Sequence, residues 1–267
     1  MTNGSRPVNE AAEDARKYRV QIGLDLRGPI PDLLHVIEDV VGLAVGIIDL
    51  PSGVSGAYTR EERQGFAFVN VNDSVVRQRF TLAHELAHHA YQDTAIIDAE
   101  SNVFGSPKSM RERRANIFAA EFLIPLQAVS AWMEARGETE VDLRLVVELA
   151  SFFRVSAKTA LIRLQLDRFV DSNGALGRTL DAAIESKEHR RLARRLGIEE
   201  APDALSNINR LGVQRAPAKM WEYAVVGYER GLLTVERIAQ ATHKTAAAVQ
   251  GELDDLGIAP PLDDPDY

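Results

Sequence analysis

The 267-residue chain contains no cysteine, so it forms no disulfide, has no thiol nucleophile and offers no thiolate to a metal ion. Aromatic residues make up only 6% of the sequence, and no apolar run approaches the roughly 20 residues of a membrane-spanning helix. Acidic residues outnumber basic ones by 39 to 31, for a formal net charge of −8. Because no apolar run is long enough, we do not expect a membrane protein. Because the negative charge disfavours contact with phosphates, we do not expect a direct nucleic-acid-binding protein either.

The rest of the composition is typical of a globular protein. Hydrophobic residues make up 45% of the chain, which is enough for the core of one or two domains. Residues 1–9 are polar and contain no apolar signal-peptide core. We therefore expect a cytoplasmic protein.

Histidine is scarce, with six in the chain, yet three of the six lie between positions 84 and 89. His84, Glu85 and His88 form the pattern His-Glu-x-x-His within residues 79–91, RFTLAHELAHHAY, whose leucines and alanines predict a helix. Residues four apart share one face of a helix, so both histidines can aim a ring nitrogen at one metal ion. Glu85 lies beside them, where its carboxylate can accept a proton from water. The pattern is typical of zinc-dependent hydrolases.

A catalytic zinc ion usually has three protein ligands, and without cysteine the third must be His, Asp or Glu. The acidic candidates downstream are Asp93, Asp98, Glu100, Glu112 and Glu121. The first two lie too near the end of the histidine helix to fold back easily, and Glu100 lies in a polar connector. Glu112 begins a second predicted helix, residues 112–125, which can pack against the first. We therefore prefer Glu112, and we expect Glu121 to be a surface or ion-pair residue.

Asn116 supports this choice, because it lies four residues after Glu112 and on the same helix face. Zinc-bound histidines usually donate their second ring N–H to an oxygen, and the side-chain oxygen of Asn116 can accept it from His84 or His88. The sequence does not identify the group that stabilises negative charge on a substrate, since packing or surface roles are commoner for each candidate. The candidates are Tyr58, His89, Tyr91, His189 and His243.

The residues before the histidine helix predict a small sheet. Residues 44–50, 54–59 and 66–72 have the composition of strands and are separated by turn-forming segments. We therefore predict an α+β, mostly helical fold, in which a small antiparallel or mixed sheet packs on the helix pair. A strand beside a zinc cleft can pair with an extended peptide. Residues 66–70 are our candidate for that edge, although an ordinary structural strand fits them equally well.

The second half of the chain is predicted to be helical. Residues 141–153 and 157–166 have the spacing of a helix-turn-helix, with Lys158, Arg163 and Arg168 on or near the second helix. A second, more acidic unit of this kind runs over residues 234–256. Such shapes often serve only for packing or protein docking. We predict a zinc metallopeptidase-like domain, a helix-turn-helix-like subdomain and a helical C-terminal domain, at residues 1–135, 136–170 and 171–267.

The stretches RFTLAHELAHH and ERRANIFAAEFLIP together resemble the ImmA/IrrE metallopeptidases, over roughly residues 20–165. The resemblance implies a thermolysin-like helix pair, with zinc bound by His84, His88 and Glu112 and with Glu85 as the general base. It also implies that the protein cleaves or otherwise inactivates a helix-turn-helix transcriptional repressor, in phage, mobile-element or stress-response regulation.

Two positions depart from the pattern of this family, which often has Gly at position 87 and Glu at position 114. Ala87 is a conservative difference on a packed helix face. Arg114 would remove a ligand if that position supplied one, but the four-residue spacing from Glu112 to Asn116 favours Glu112.

Two functions of different classes remain. The first is a zinc endopeptidase that cuts a repressor partner, with manganese or iron as alternative metals. The second is a non-hydrolytic antitoxin or anti-repressor that binds its partner and keeps any metal for structure. Glu85 favours the first, because a structural metal site has no need of it. A third function, regulation by direct DNA binding, has less support than either, because the chain is negatively charged.

Overall fold

A computed structural model of the protein describes residues 10–61, 63–94, 96–99, 103, 109–198 and 214–258. The described helices are α1 (Ala11–Gln21), α2 (Leu33–His35, continued as a π-helical segment, Val36–Val41), α3 (Val75–Ala90), α4 (Met110–Leu123), α5 (Leu126–Arg136), α6 (Leu143–Phe153), α7 (Ala157–Leu166), α8 (Ala175–Glu185), α9 (Glu188–Leu196), α10 (Ala218–Glu229), α11 (Val235–Thr242) and α12 (Ala246–Asp255). The strands are β1 (Ala44–Ile48), β2 (Val54–Glu61), β3 (Gln64–Asn70) and β4 (Ile96–Ala99). The predicted α+β, mostly helical fold is confirmed.

The four strands form one mixed sheet in the order β1-β3-β2-β4. β3 is parallel to β1 and antiparallel to β2, and β4 is antiparallel to β2. The three predicted strands coincide with β1, β2 and β3, whereas β4 was not predicted. The peptide-binding edge predicted at residues 66–70 is wrong, because β3 lies inside the sheet and its main chain is hydrogen-bonded on both sides. The residues of a strand predict its extended form but not its neighbours.

Helix α3 is buried along most of its length, because it packs against both the sheet and α4. Small side chains let these elements approach closely, and Ala83 and Ala87 on α3 and Ala115 and Ala119 on α4 are all fully buried. The side chain of Ser109 caps α4 by accepting a hydrogen bond from the main-chain N–H of Glu112, at 3.1 Å. The cap therefore places the predicted third ligand, Glu112, in the first turn of α4.

Helices α6 and α7 form the predicted helix-turn-helix-like pair. Asp142 caps α6 and Ser156 caps α7, each through a side-chain oxygen that accepts a main-chain N–H. Between the two helices, Arg154 has a φ of 57°, in the left-handed region that ends α6. Local capping and turn residues therefore account for this shape without any bound partner.

The basic residues of α7 form ion pairs within the protein. Nη2 of Arg163 lies 2.7 Å from one carboxylate oxygen of Glu121, and Nη1 of Arg16 on α1 lies 2.9 Å from the other. Glu121 is only 1% exposed, so it is an ion-pair residue and not a surface one. Lys158 pairs with Asp181 on α8. Positive charge on α7 is thus largely offset by acids of the same chain.

Asp167, which follows α7, gives a pH-dependent stability. Burial raises its pKa to about 6 from 3.8, although Arg163 acts against this. Replacing Asp167 with Asn should therefore raise the free energy of unfolding above pH 6, because the folded protein no longer holds an ionised and poorly hydrated carboxylate. The side chain is partly hydrated, so the gain should be roughly 1 kcal/mol or less.

The sign of this effect follows from the two pKa values of Asp167. Between about pH 4 and pH 6 the folded protein keeps a proton that the unfolded chain releases, so the penalty develops as the pH rises through this range. The advantage of Asp167→Asn should therefore be full near pH 7.5 and vanish near pH 4. Urea unfolding of both proteins at several pH values measures it, and an advantage that grows toward low pH would contradict this account.

Helices α10, α11 and α12 pack around a separate apolar cluster, formed by Ala224, Tyr228, Ile238, Ala239, Val249 and Leu253. Arg215 joins this part to the sheet, because its main chain exchanges two hydrogen bonds of 2.8 Å with Ile47 of β1. Its guanidinium also contacts both carboxylate oxygens of Glu38, at 2.7 and 2.8 Å. The three-domain division of the sequence stays a prediction.

Within the described residues, the stretch Met110–Arg136 is long and apolar enough to cross a membrane by length and composition. It comprises α4 and α5, which meet at Pro125, and 61% of its apolar window is buried inside the protein. Core helices of a globular protein share these properties, so the stretch is weak evidence for a membrane span.

Candidate metal centre

Helices α3 and α4 bring three of the predicted site residues together. Nε2 of His84 lies 3.1 Å from Nε2 of His88 and 3.1 Å from Oε2 of Glu112. Nε2 of His88 lies 3.7 Å from the same oxygen. The two histidines are 0% exposed and Glu112 is 6% exposed. Among the described residues, these three form a group close enough to share one metal ion.

The distances suit a tetrahedral ion. Ligand atoms about 2.0–2.1 Å from zinc, at tetrahedral angles, lie about 3.3 Å from one another, and the three observed separations lie on either side of this value. The donor types fit as well, since two imidazoles and one carboxylate are a common ligand set for catalytic zinc. The cluster of His84, His88 and Glu112 could therefore hold a metal ion.

The second nitrogen of each imidazole has its own oxygen partner. Nδ1 of His84 lies 2.8 Å from Oδ1 of Asn116, and Nδ1 of His88 lies 2.8 Å from Oδ2 of Asp93. If each ring donates its Nδ1–H there, a neutral ring has a lone pair on Nε2. Two lone pairs and one carboxylate oxygen then converge in a buried space, which favours a cation among them.

Asp93 contacts His88, a role that sequence reasoning missed because it weighed this residue only as a metal ligand. It is not in the group of potential ligands, but the chain does fold back at this position, contrary to what its closeness to the helix end suggested. The spacing of Asn116 placed that side chain beside a histidine, whereas Asp93 gave no comparable signal. Asp98 belongs to β4, and Glu100 lies outside the described residues.

The charged side chains around His88 alter the protonation of the site. Burial acts to lower the pKa of His88, but its hydrogen bonds to Asp93 and Glu112 outweigh this and raise it. Burial acts to raise the pKa of Asp93, but its hydrogen bonds to His88 and Arg114 lower it overall. Protons and a metal ion therefore compete for His88.

Glu85, the predicted general base, is 0% exposed and lies between α3 and the sheet. Gly56 of β2 faces it, because a Cβ atom built at position 56 would lie 2.2 Å from Oε1 of Glu85 and 2.5 Å from Cγ2 of Thr81. The missing side chain at position 56 thus leaves the carboxylate its space. The signal in the sequence was a glycine inside a predicted strand, which often marks a close approach of another group.

Of the five candidates for stabilising negative charge, Tyr58 and His89 lie beside the histidine cluster. The hydroxyl of Tyr58 lies 3.2 Å from Nδ1 of His89, and its ring centroid lies 6.5 Å from that of His88. Tyr91 points toward α1, where its hydroxyl donates to Asp14 at 3.2 Å. The other two candidates belong to α9 and to the end of α11, namely His189 and His243.

A His-Glu-x-x-His helix, a carboxylate on the next long helix and a small adjoining sheet define the metallopeptidase class of site. Residues 39–165 match the peptidase M78 family, described as the IrrE N-terminal-like domain. This match confirms the resemblance of these residues to the ImmA/IrrE metallopeptidases. A search of curated proteins finds no match to the chain.

Proposed function

We propose that this protein is a zinc-dependent endopeptidase that cleaves, and thereby inactivates, a partner helix-turn-helix transcriptional repressor. The position of Glu85 carries the proposal. It adjoins His84 on α3, and Gly56 leaves room for its carboxylate. A metal site that only stabilised the fold would need no such carboxylate, whereas hydrolysis needs a base at this position.

The chemistry follows from the side chains. His84, His88 and Glu112 would hold the ion, which when bound polarises the scissile carbonyl and makes water more acidic. Glu85 accepts the proton of the attacking water and passes it to the leaving amine. Because α3 and β2 enclose this carboxylate, both proton transfers take place at one fixed position.

We propose a protein substrate and not a nucleic acid. The family resemblance points to a helix-turn-helix repressor. Two observations weigh against direct DNA binding: the net charge of −8, and the ion pairs of Arg163 and Lys158 with acids of this chain. A role in phage, mobile-element or stress-response regulation in the cytoplasm would follow from such a partner.

The test is to combine the protein with the helix-turn-helix repressor encoded beside its gene, by co-expression and then with purified components. We expect discrete repressor fragments, whose formation stops with a chelator and resumes when zinc is added. Fragments that form equally well in the chelator would contradict the proposal, and so would a repressor that is neither bound nor cut.

A second function, a non-hydrolytic antitoxin or anti-repressor, is favoured by one observation. His84, Glu85 and His88 are all 0% exposed, and closed metal sites are more often structural than catalytic. The two functions predict different products in the same experiment. A stable complex that contains intact repressor, with zinc present, would establish the second.

Gly56 gives a further prediction about the proposed base. Replacing Gly56 with Ala should displace the Glu85 carboxylate, because the new Cβ would overlap it, and should lower the cleavage rate by about 10- to 100-fold. Zinc affinity should change little, since position 56 faces Glu85 and not the ligands. The measurement is the rate of repressor cleavage beside the zinc dissociation constant.

Gly251→Ala on α12 is the matched control, because a Cβ there meets no atom within 4 Å. Equal cleavage rates in the two alanine variants would contradict the role assigned to Gly56.

A further inference from the structure

We infer that Arg114, acting through Asp93, is a positioning residue that orients the proposed metal ligand His88. The inference rests on the proposed metal site and adds two residues to it. Oδ2 of Asp93 accepts from Nδ1 of His88 at 2.8 Å. Nη2 of Arg114 donates to both oxygens of the same carboxylate, at 2.9 and 2.8 Å.

The backbone fixes the first of these contacts. Gln92, just after α3, has a φ of 55°, which lies in the left-handed region and turns the chain back on itself. The main-chain N–H of Asp93 then donates to the carbonyl of His88 at 2.9 Å. Asp93 therefore contacts His88 through both its main chain and its side chain, which leaves the imidazole little freedom to rotate.

The second contact is held equally closely. The Arg114 guanidinium lies 3.8 Å above the ring of Tyr91, whose hydroxyl donates to Asp14 on α1. In the Asp93 ion pair, the side chains are 12% and 9% exposed, so water screens it weakly. The stacked guanidinium thus restrains the carboxylate that contacts His88.

Helix α4 therefore carries one orienting residue for each imidazole. Asn116 orients His84 directly, whereas Arg114 orients His88 indirectly, by holding Asp93. The difference lies in charge. A neutral amide needs no counter-ion. A carboxylate that is only 9% exposed, in a site that already holds Glu85 and Glu112, needs a cation to offset its charge, and Arg114 supplies that cation. Loss of Arg114 would leave Asp93 both free to move and unfavourably charged.

The test compares Arg114→Met, Asp93→Ala and Asp93→Asn, with Arg113→Met as the matched control, because Arg113 lies on the exposed face of α4. Zinc dissociation constants are measured by competition with a chromogenic chelator. Arg114→Met and Asp93→Ala should each weaken zinc binding by about 10- to 100-fold. Arg113→Met should leave it unchanged, and Asp93→Asn should restore part of the loss, since its amide oxygen still accepts the Nδ1–H.

A second readout separates positioning from stability. Cobalt replaces zinc in each variant, and its visible absorption reports the symmetry of the ligands. We expect an altered spectrum for Arg114→Met and an unaltered one for Arg113→Met. If Arg114→Met does not fold, Asp93→Ala and Asp93→Asn decide the matter, and identical zinc affinities and spectra in those two would overturn the inference.

The outcomes also distinguish this inference from the proposed function. A wild-type protein that binds no zinc would defeat the metal site itself. A wild-type protein that binds zinc, with Arg114→Met matching Arg113→Met in affinity and spectrum, would overturn the inference alone.

Discussion

Replacing Glu85 with Gln is expected to lower the rate of repressor cleavage by about 10²- to 10⁴-fold, the usual contribution of a positioned general base. The two side chains have nearly the same shape, so the amide should fit the space beside Gly56, but it cannot accept the proton of water. Zinc content should stay close to that of the wild-type protein, because position 85 is not in the cluster of potential ligands. The measurement is the cleavage rate of purified repressor at equal zinc occupancy.

Glu134→Gln makes the same chemical change at an exposed position on α5 and should cut at the wild-type rate. A Glu85→Gln protein that binds the repressor without cutting it would separate recognition from hydrolysis. Cleavage that persists in this variant would refute the mechanism, because no other carboxylate is assigned to proton transfer.

The convergence of the proposed metal ligands could be predicted because helical spacing is local. His84 and His88 lie one turn apart on α3, and Glu112 and Asn116 lie one turn apart on α4. Each pair needs only a regular helix to share a face. The packing of α3 on α4 then requires one further assumption, namely that the small and apolar residues of the two helices face each other.

Asp93 could not be found in this way, because its position depends on a single turn. The left-handed conformation of Gln92 is uncommon for a residue other than glycine, and no local pattern indicated it. Arg114 adds a contact between residues 21 positions apart. Such contacts depend on the relative rotation of two helices, which periodicity alone does not specify.

The order of the strands was unpredictable for a related reason. The composition of residues 66–72 predicts a strand, and residues 66–70 of it lie within β3. Whether a strand lies at an edge depends on which other strands pair with it, and here β1 and β2 pair on its two sides. The ion pairs of α7 were unpredictable for the same reason, since Glu121, which neutralises Arg163, lies 42 positions away in the sequence.

Replacing Glu112 with Ala is expected to weaken zinc binding by more than the roughly 100-fold upper range found for residues that only orient a ligand. The change would remove one of the three converging donors and leave two imidazoles, which seldom retain zinc alone. In the wild-type protein, free zinc at 100 times its dissociation constant should add about 2.7 kcal/mol to the free energy of unfolding. This corresponds to a rise in Tm of roughly 5–10 °C for a protein of this size.

Glu112→Ala should lose this zinc-induced rise almost entirely at the same zinc concentration. Each protein is compared with its own metal-free form, so any effect of the substitution on folding cancels. Glu134→Ala on α5 is the control and should keep the full rise, because that side chain is exposed. If Glu112→Ala kept the rise as well, another acid would have to supply the third ligand. Asp93 would be the first to test, because it already contacts His88, and its substitution would then remove the zinc effect that Glu112→Ala had left intact.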